Sequence, residues 1–137
     1  MIPRMTPELY WMTCTALLTA VLWVPYIAQL ILQMTPGPAF WDPYHETPHE
    51  AKWAQRAKRA HTNAVENLVV FAPLALALHV LGIGTALTAR TAAVFFFVRA
   101  AHYLAYVLAV PLVRTLLFLA GFCCQAILGA TLLGWLS

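Results

Sequence analysis

Four long apolar stretches separated by short polar breaks dominate the pattern along this chain. The first opens with Thr6-Pro7-Glu8: a hydroxyl to cap a helix, proline at the first helical position and an acid in the first turn. No charge follows until Asp42. A helix over residues 9–34 is about 39 Å long at 1.5 Å per residue, so it has to tilt, bend or protrude, and Pro25 is the expected bend. Thr35-Pro36-Gly37-Pro38 stops it. After a proline-rich loop, Thr47-Pro48-His49-Glu50 reads as a capping box that starts the second helix. The opening turns of that helix are polar, with Lys52, Arg56, Lys58, Arg59, His61, Asn63, Glu66 and Asn67. Only residues 68–81 are continuously apolar, and fourteen residues are too few for a hydrocarbon core that needs about 20. Counting back from Leu81 therefore places Asn63, Glu66 and Asn67 inside the membrane. Gly82-Ile83-Gly84-Thr85 predicts a tight turn with Thr85 capping the third helix, and Pro111 marks the last break. The expected spans are about 9–34, 53–81, 87–110 and 113–136. In the last, Ala126, Ala130 and Gly134 recur every fourth residue, a small-residue stripe of the kind that lets helices approach closely in lipid.

Composition turns this pattern into a fold class. The 137 residues are 62% hydrophobic and 9% charged, where a soluble domain carries roughly 25% charged residues. Too few charges remain to cover a water-facing surface, so the expectation is an all-α, integral membrane four-helix bundle forming one domain over residues 1–137. The net charge of +3 follows topology: Lys52, Arg56, Lys58 and Arg59 cluster beside a span, and no nucleic-acid partner is expected. Lys52, Arg56, Lys58, Arg59 and Arg114 lie on one side of the bilayer against Arg4 and Arg90 on the other, which puts both termini on the non-cytoplasmic side. Arginine outnumbers lysine and alanine is abundant, pointing to a GC-rich bacterial source and hence the bacterial inner membrane. The first apolar run is too long for a cleaved signal peptide. Cys14, Cys123 and Cys124 fall in apolar segments and read as small buried hydrophobes. His45, Glu46, His49 and Glu50 resemble a metal cluster, but Pro48 breaks the helical spacing a ligand pair needs, so no metal site is expected.

Two helices carry the candidate chemistry. Arg59, Asn63 and Glu66 stand at i, i+4 and i+7, within roughly 60° of one another, and Arg56 extends the stripe. Arg99, His102 and Tyr106 repeat the device on the third helix. The two helices run antiparallel from the 82–85 turn, so Glu66 and His102 reach a similar depth, about 22 Å along at 1.5 Å per residue. Glu66 is expected to pair with Arg99, and Asn63 to lie level with Tyr106. Ionisable groups at membrane depth are costly and face a polar interior. A basic mouth above an amide and a carboxylate suits a polar zwitterionic or anionic ligand.

These residues also carry a resemblance. The stretch Arg56-Ala-Lys-Arg59-Ala-His-Thr-Asn63-Ala-Val-Glu66-Asn67 resembles the second-helix signature of MAPEG, the family of membrane-associated proteins in eicosanoid and glutathione metabolism. Arg99-x-x-His102-x-x-x-Tyr106 is similar to the third helix of its prostaglandin-forming branch. The resemblance implies a homotrimer with glutathione bound between neighbours, acting as a transferase or peroxidase on a hydrophobic small-molecule substrate. It implies that Arg56 and Arg59 hold a glutathione carboxylate, Asn63 its backbone amides and Glu66 its α-amine, with Arg99, His102 and Tyr106 lining the pocket. It further implies that Arg114 and Thr115 stabilise the thiolate. Two positions depart from the family pattern: loop one is acidic where a basic residue often grips glutathione, and Phe118 stands where tyrosine is frequent. These departures favour a rival reading, a non-catalytic scaffold or lipid-binding subunit of a larger membrane complex.

Overall fold

The computed structural model describes residues 4–34, 37, 41 and 47–136. Five helical segments form four rods: α1 (Pro7–Val21) and α2 (Val24–Met34) in line, then α3 (Lys52–Leu81), α4 (Ala86–Val107) and α5 (Pro111–Leu132). The described residues contain no strand, and the all-α four-helix architecture expected from the pattern is what the chain adopts. α1 lies against α3 and α4, α2 against α3, and α4 packs most extensively on α5.

Pro25 breaks the first rod as expected, and the break sits just before it, at Leu22-Trp23. Proline has no N–H to bond the Val21 carbonyl, and its ring crowds the preceding turn. At the break itself, Tyr103 on α4 donates its hydroxyl to the Leu22 carbonyl at 3.2 Å. Thr6 caps α1 as predicted, accepting from the Leu9 N–H at 3.4 Å.

The second rod begins later than the capping-box reading, at Lys52, and its N-cap Ala51 makes no side-chain bond. Gln33 at the end of α2 overrides that box: its Oε1 accepts from the Glu50 N–H at 3.0 Å and its Nε2 donates to the Pro48 carbonyl at 3.1 Å. Gln55 then donates to the His49 carbonyl at 2.7 Å. The 47–50 segment is thereby tied to α2 as an extended strap. His45 and Glu46 of the metal-like cluster lie outside the described residues, while His49 hydrogen-bonds Gln29 at 2.8 Å. Burial and the nearby Lys58 ammonium push the His49 imidazole below its ordinary range, which suits a neutral Nδ1–H donor to that amide oxygen.

Two clusters hold the rods together. Ala54, Ala57, Ala60 and Ala64 give α3 a flat, fully buried face against Leu22, Tyr26 and Tyr103. Toward the other end Phe71 and Phe95 stack with ring centres 3.9 Å apart, surrounded by Ala75, Leu78, Ala92, Cys124 and Leu128. The first, second and fourth rods (Pro7–Met34, Lys52–Leu81, Pro111–Leu132) are long and apolar enough to cross a membrane. α4 has the length, about 33 Å for 22 residues, but its polar groups dilute its hydropathy. Those groups, Thr88, Thr91, Arg99 and His102, are all buried inside the bundle. The small-residue stripe is shorter than expected: α5 ends at Leu132, and Gly134 is instead the left-handed residue (φ 73°) of the turn that closes it.

One end of the bundle is fastened by a carboxylate the sequence pattern understates. Glu8, read as a first-turn acid, is 2% exposed and accepts from the Thr88 hydroxyl at 2.6 Å. Thr88 completes a reciprocal capping box with Thr85, the predicted cap of α4. Gly84 lies so close that a Cβ there would stand 2.7 Å from Glu8 Oε1 and 3.0 Å from its Cδ. Gly84→Ala is therefore expected to destabilise the protein by about 1–3 kcal/mol, the usual range for overpacking a fixed site. Chemical unfolding in detergent checks this, and in a Glu8→Ala background the same substitution should cost little.

Candidate functional site

α3 presents its polar residues around a narrow arc, and the edge of the bundle cuts through that arc. Ala60, Ala64 and Asn67 are buried, Asn63 is half-buried, and Arg59 and Glu66 are exposed. Positions four apart on a helix differ by about 40°, enough to separate Asn63 from its neighbours. Asn63 turns into the cleft between α3, α4 and α5, whereas Glu66 stays on the outer face. The expected Glu66–Arg99 pair is consequently absent. Arg99, 3% exposed, donates from Nη2 to Asn63 Oδ1 at 2.7 Å, and its buried Nε and Nη1 have no hydrogen-bond partner.

Asn63, His102, Tyr106, Arg114, Thr115 and Phe118 line a cavity of about 160 Å³. Arg114, at the start of α5, holds its guanidinium carbon 4.8 Å from the centre of the Tyr106 ring. This cation–π contact fixes the cation over the cavity wall. His102 packs edge-on against Tyr106, with ring centres 5.8 Å apart, and lies 6.5 Å from the Phe118 ring. Its Nδ1 is buried without a partner. Thr115 donates its hydroxyl to the Pro111 carbonyl at 3.0 Å, a helix-internal bond. Among the described lining residues there is no acid, so the wall offers mostly donors and positive charge.

The basic mouth divides in two. Arg56 donates from Nε to the Val107 carbonyl at 2.8 Å, closing the end of α4, and lines a cavity of about 230 Å³ with Tyr106, Pro111 and Arg114. Arg59 lies elsewhere, in a cavity of about 380 Å³ shared with His49, Gln55, Lys58 and Thr62. The polar column read from depth alone thus becomes an inner group, Asn63, Arg99, His102, Tyr106 and Arg114, with Arg56 at its mouth, and an outer pair, Arg59 and Glu66.

Behind this site stand Asn67, which the sequence places only as a polar residue at membrane depth, and Gln125, which sequence reasoning missed. Asn67 donates to the Asn63 carbonyl at 2.9 Å and to its Oδ1 at 3.4 Å. Gln125 on α5 donates to the Asn67 carbonyl at 3.1 Å and to its Oδ1 at 3.5 Å. Gln125 is the signal that could have been used: a single amide in an otherwise apolar span needs an internal partner.

No curated protein and no solved structure matches the sequence. The model of the MAPEG family matches residues 9–134, nearly the whole chain. For a chain of four helices packed as a bundle, this match establishes that it belongs to the MAPEG family.

Proposed function

We propose that this protein is a glutathione-dependent transferase or peroxidase of the bilayer, acting on a hydrophobic electrophile as a homotrimer. The observation that carries the reading is the donor-rich, acid-free cavity around Asn63, His102, Tyr106 and Arg114, beside buried guanidinium N–H groups that lack partners. Such a set fits an anionic peptide thiol, whose carboxylates and carbonyls are acceptors. Glutathione supplies the nucleophilic sulfur. Arg114 favours its thiolate over the thiol, raising the reactive fraction at neutral pH. Phe118 and the lipid-facing side chains of α5 give the apolar substrate its approach from the membrane. Glu66 on the outer face supports the trimer, because a carboxylate at bilayer depth is costly against lipid and is relieved when a neighbouring subunit covers it. Arg59 and Glu66 would then complete the ligand site across that contact, with the Arg56 end facing the cytoplasm of a bacterial inner membrane.

Calorimetric titration with glutathione in detergent tests the reading, with native mass spectrometry reporting stoichiometry. Wild type should bind and Glu66→Ala should bind at least tenfold more weakly, the loss expected of one charge-assisted hydrogen bond worth about 1.5–3 kcal/mol. Failure of wild type to bind at millimolar ligand overturns it. The second reading, a scaffold or lipid-binding subunit, then takes its place. Its support is Phe118 in the cavity wall and a Thr115 hydroxyl already committed to Pro111.

A further inference from the structure

Three side-chain amides run head to tail through the bundle toward the cavity. Gln125 Nε2 donates to the Asn67 main-chain carbonyl at 3.1 Å and reaches its Oδ1 at 3.5 Å. Asn67 Nδ2 donates to the Asn63 main-chain carbonyl at 2.9 Å and reaches its Oδ1 at 3.4 Å, and Asn63 Oδ1 accepts from Arg99 Nη2 at 2.7 Å. The main-chain bonds anchor the donors, and the contacts to the amide oxygens set their orientation, with Arg99 the shortest of them on Asn63. Asn67 must turn its oxygen toward Gln125 and its nitrogen toward Asn63. A reversed Asn63 would set its NH2 against the guanidinium N–H of Arg99 and against Asn67 Nδ2, leaving buried donors facing donors. The remaining polar atom of Asn63, Nδ2, is the one left for the cavity that this residue lines.

We infer that Gln125 and Asn67 are positioning residues that, with Arg99, lock the Asn63 amide as a one-way donor, so that the site takes an acceptor oxygen of a carboxylate or carbonyl there and refuses a donor. The inference deepens the glutathione reading and rests on it for the choice of probe. Aligned hydrogen bonds in a low-dielectric interior polarise one another, which sharpens the discrimination. It also accounts for Gln125, whose burial in an apolar helix has no other purpose visible in the bundle.

The test reverses the polarity of Asn63 while keeping its anchor. Asn63→Asp retains an oxygen for Arg99 and Asn67 and replaces the donor facing the cavity by an acceptor. It should melt at or above wild type, because Arg99 gains a counter-charge, yet raise the glutathione Kd on the order of 100-fold. Gln125→Leu should raise Kd about 3- to 10-fold in the wild-type background and have no further effect in an Asn63→Ala background. Tight binding by Asn63→Asp, or an equal effect of Gln125→Leu in both backgrounds, overturns the inference. If wild type binds no glutathione, the glutathione reading fails and the relay is judged by melting alone. Strong non-additivity between Gln125→Leu and Asn63→Leu upholds it, and additive shifts overturn it.

Discussion

Asn63→Leu is expected to destabilise the folded protein by about 3 kcal/mol or more, while Glu66→Gln changes stability by less than about 1 kcal/mol. Arg99 is buried, and it donates from Nη2 to Asn63 Oδ1 at 2.7 Å. Removing that oxygen leaves the whole guanidinium without an acceptor inside the bundle, since Nε and Nη1 already have none. Leucine also removes the longer contact of Asn67, whose Nδ2 lies 3.4 Å from Asn63 Oδ1, while its bond to the Asn63 main-chain carbonyl stays. Glu66, exposed on the outer face, bears none of this load. Equilibrium unfolding in mixed micelles, under conditions that keep the subunits apart, separates the two. A large effect of Glu66→Gln there would restore the carboxylate as the counter-ion of Arg99. Arg99→Leu added to Asn63→Leu should recover much of the loss, because an apolar pair of similar volume has nothing left to satisfy.

The second large effect concerns turnover. Arg114→Ala should reduce conjugation of a model electrophile such as chlorodinitrobenzene by about 10²–10³-fold, the usual cost of removing one donor to a developing anion. The glutathione Kd should change much less, since Asn63 and the outer pair remain. Two features single out Arg114. Its guanidinium is held over the Tyr106 ring at 4.8 Å, and it borders both cavities at the mouth. Thr115, bonded to Pro111 in its own helix, is placed to contribute less. Phe118→Tyr should add a hydroxyl to the same cavity wall and raise the rate without tightening binding. Steady-state kinetics over glutathione concentration distinguishes these outcomes. Loss confined to KM in Arg114→Ala would make this residue a binding group.

The contrast between Glu66 and Asn63 marks what the sequence makes legible. Hydrophobic runs, Thr6 and Thr85 as caps and Pro25 as a breaker are local features, and the helices obey them. Depth along a helix was also legible, because residue count converts directly to length. Azimuth was not. A 60° spread looks like one face in a helical projection, yet the bundle edge passes through it and sends Asn63 inward and Glu66 outward. Glu8 shows the same limit from the other side. As a first-turn acid it satisfies a local rule, and only the fold brings Thr88 and Gly84 against it. The capping box read at residues 47–50 is overridden for a related reason, since Gln33 on α2 takes the Glu50 N–H that the box would have used.

The Glu8–Thr88 lock at the 82–85 turn has a mechanical consequence. That bond joins α1 to α4, the Thr6–His79 bond at 3.2 Å ties the start of α1 to α3, and the cavities lined by Arg56 and Arg114 lie toward the other ends of these rods. The opposite end is tied as well, by Arg56 to the Val107 carbonyl and by Tyr103 to the Leu22 carbonyl. Rods pinned near both ends resist splaying, so a disturbance at Gly84 should lower stability rather than open the cavity at Arg56 and Arg114.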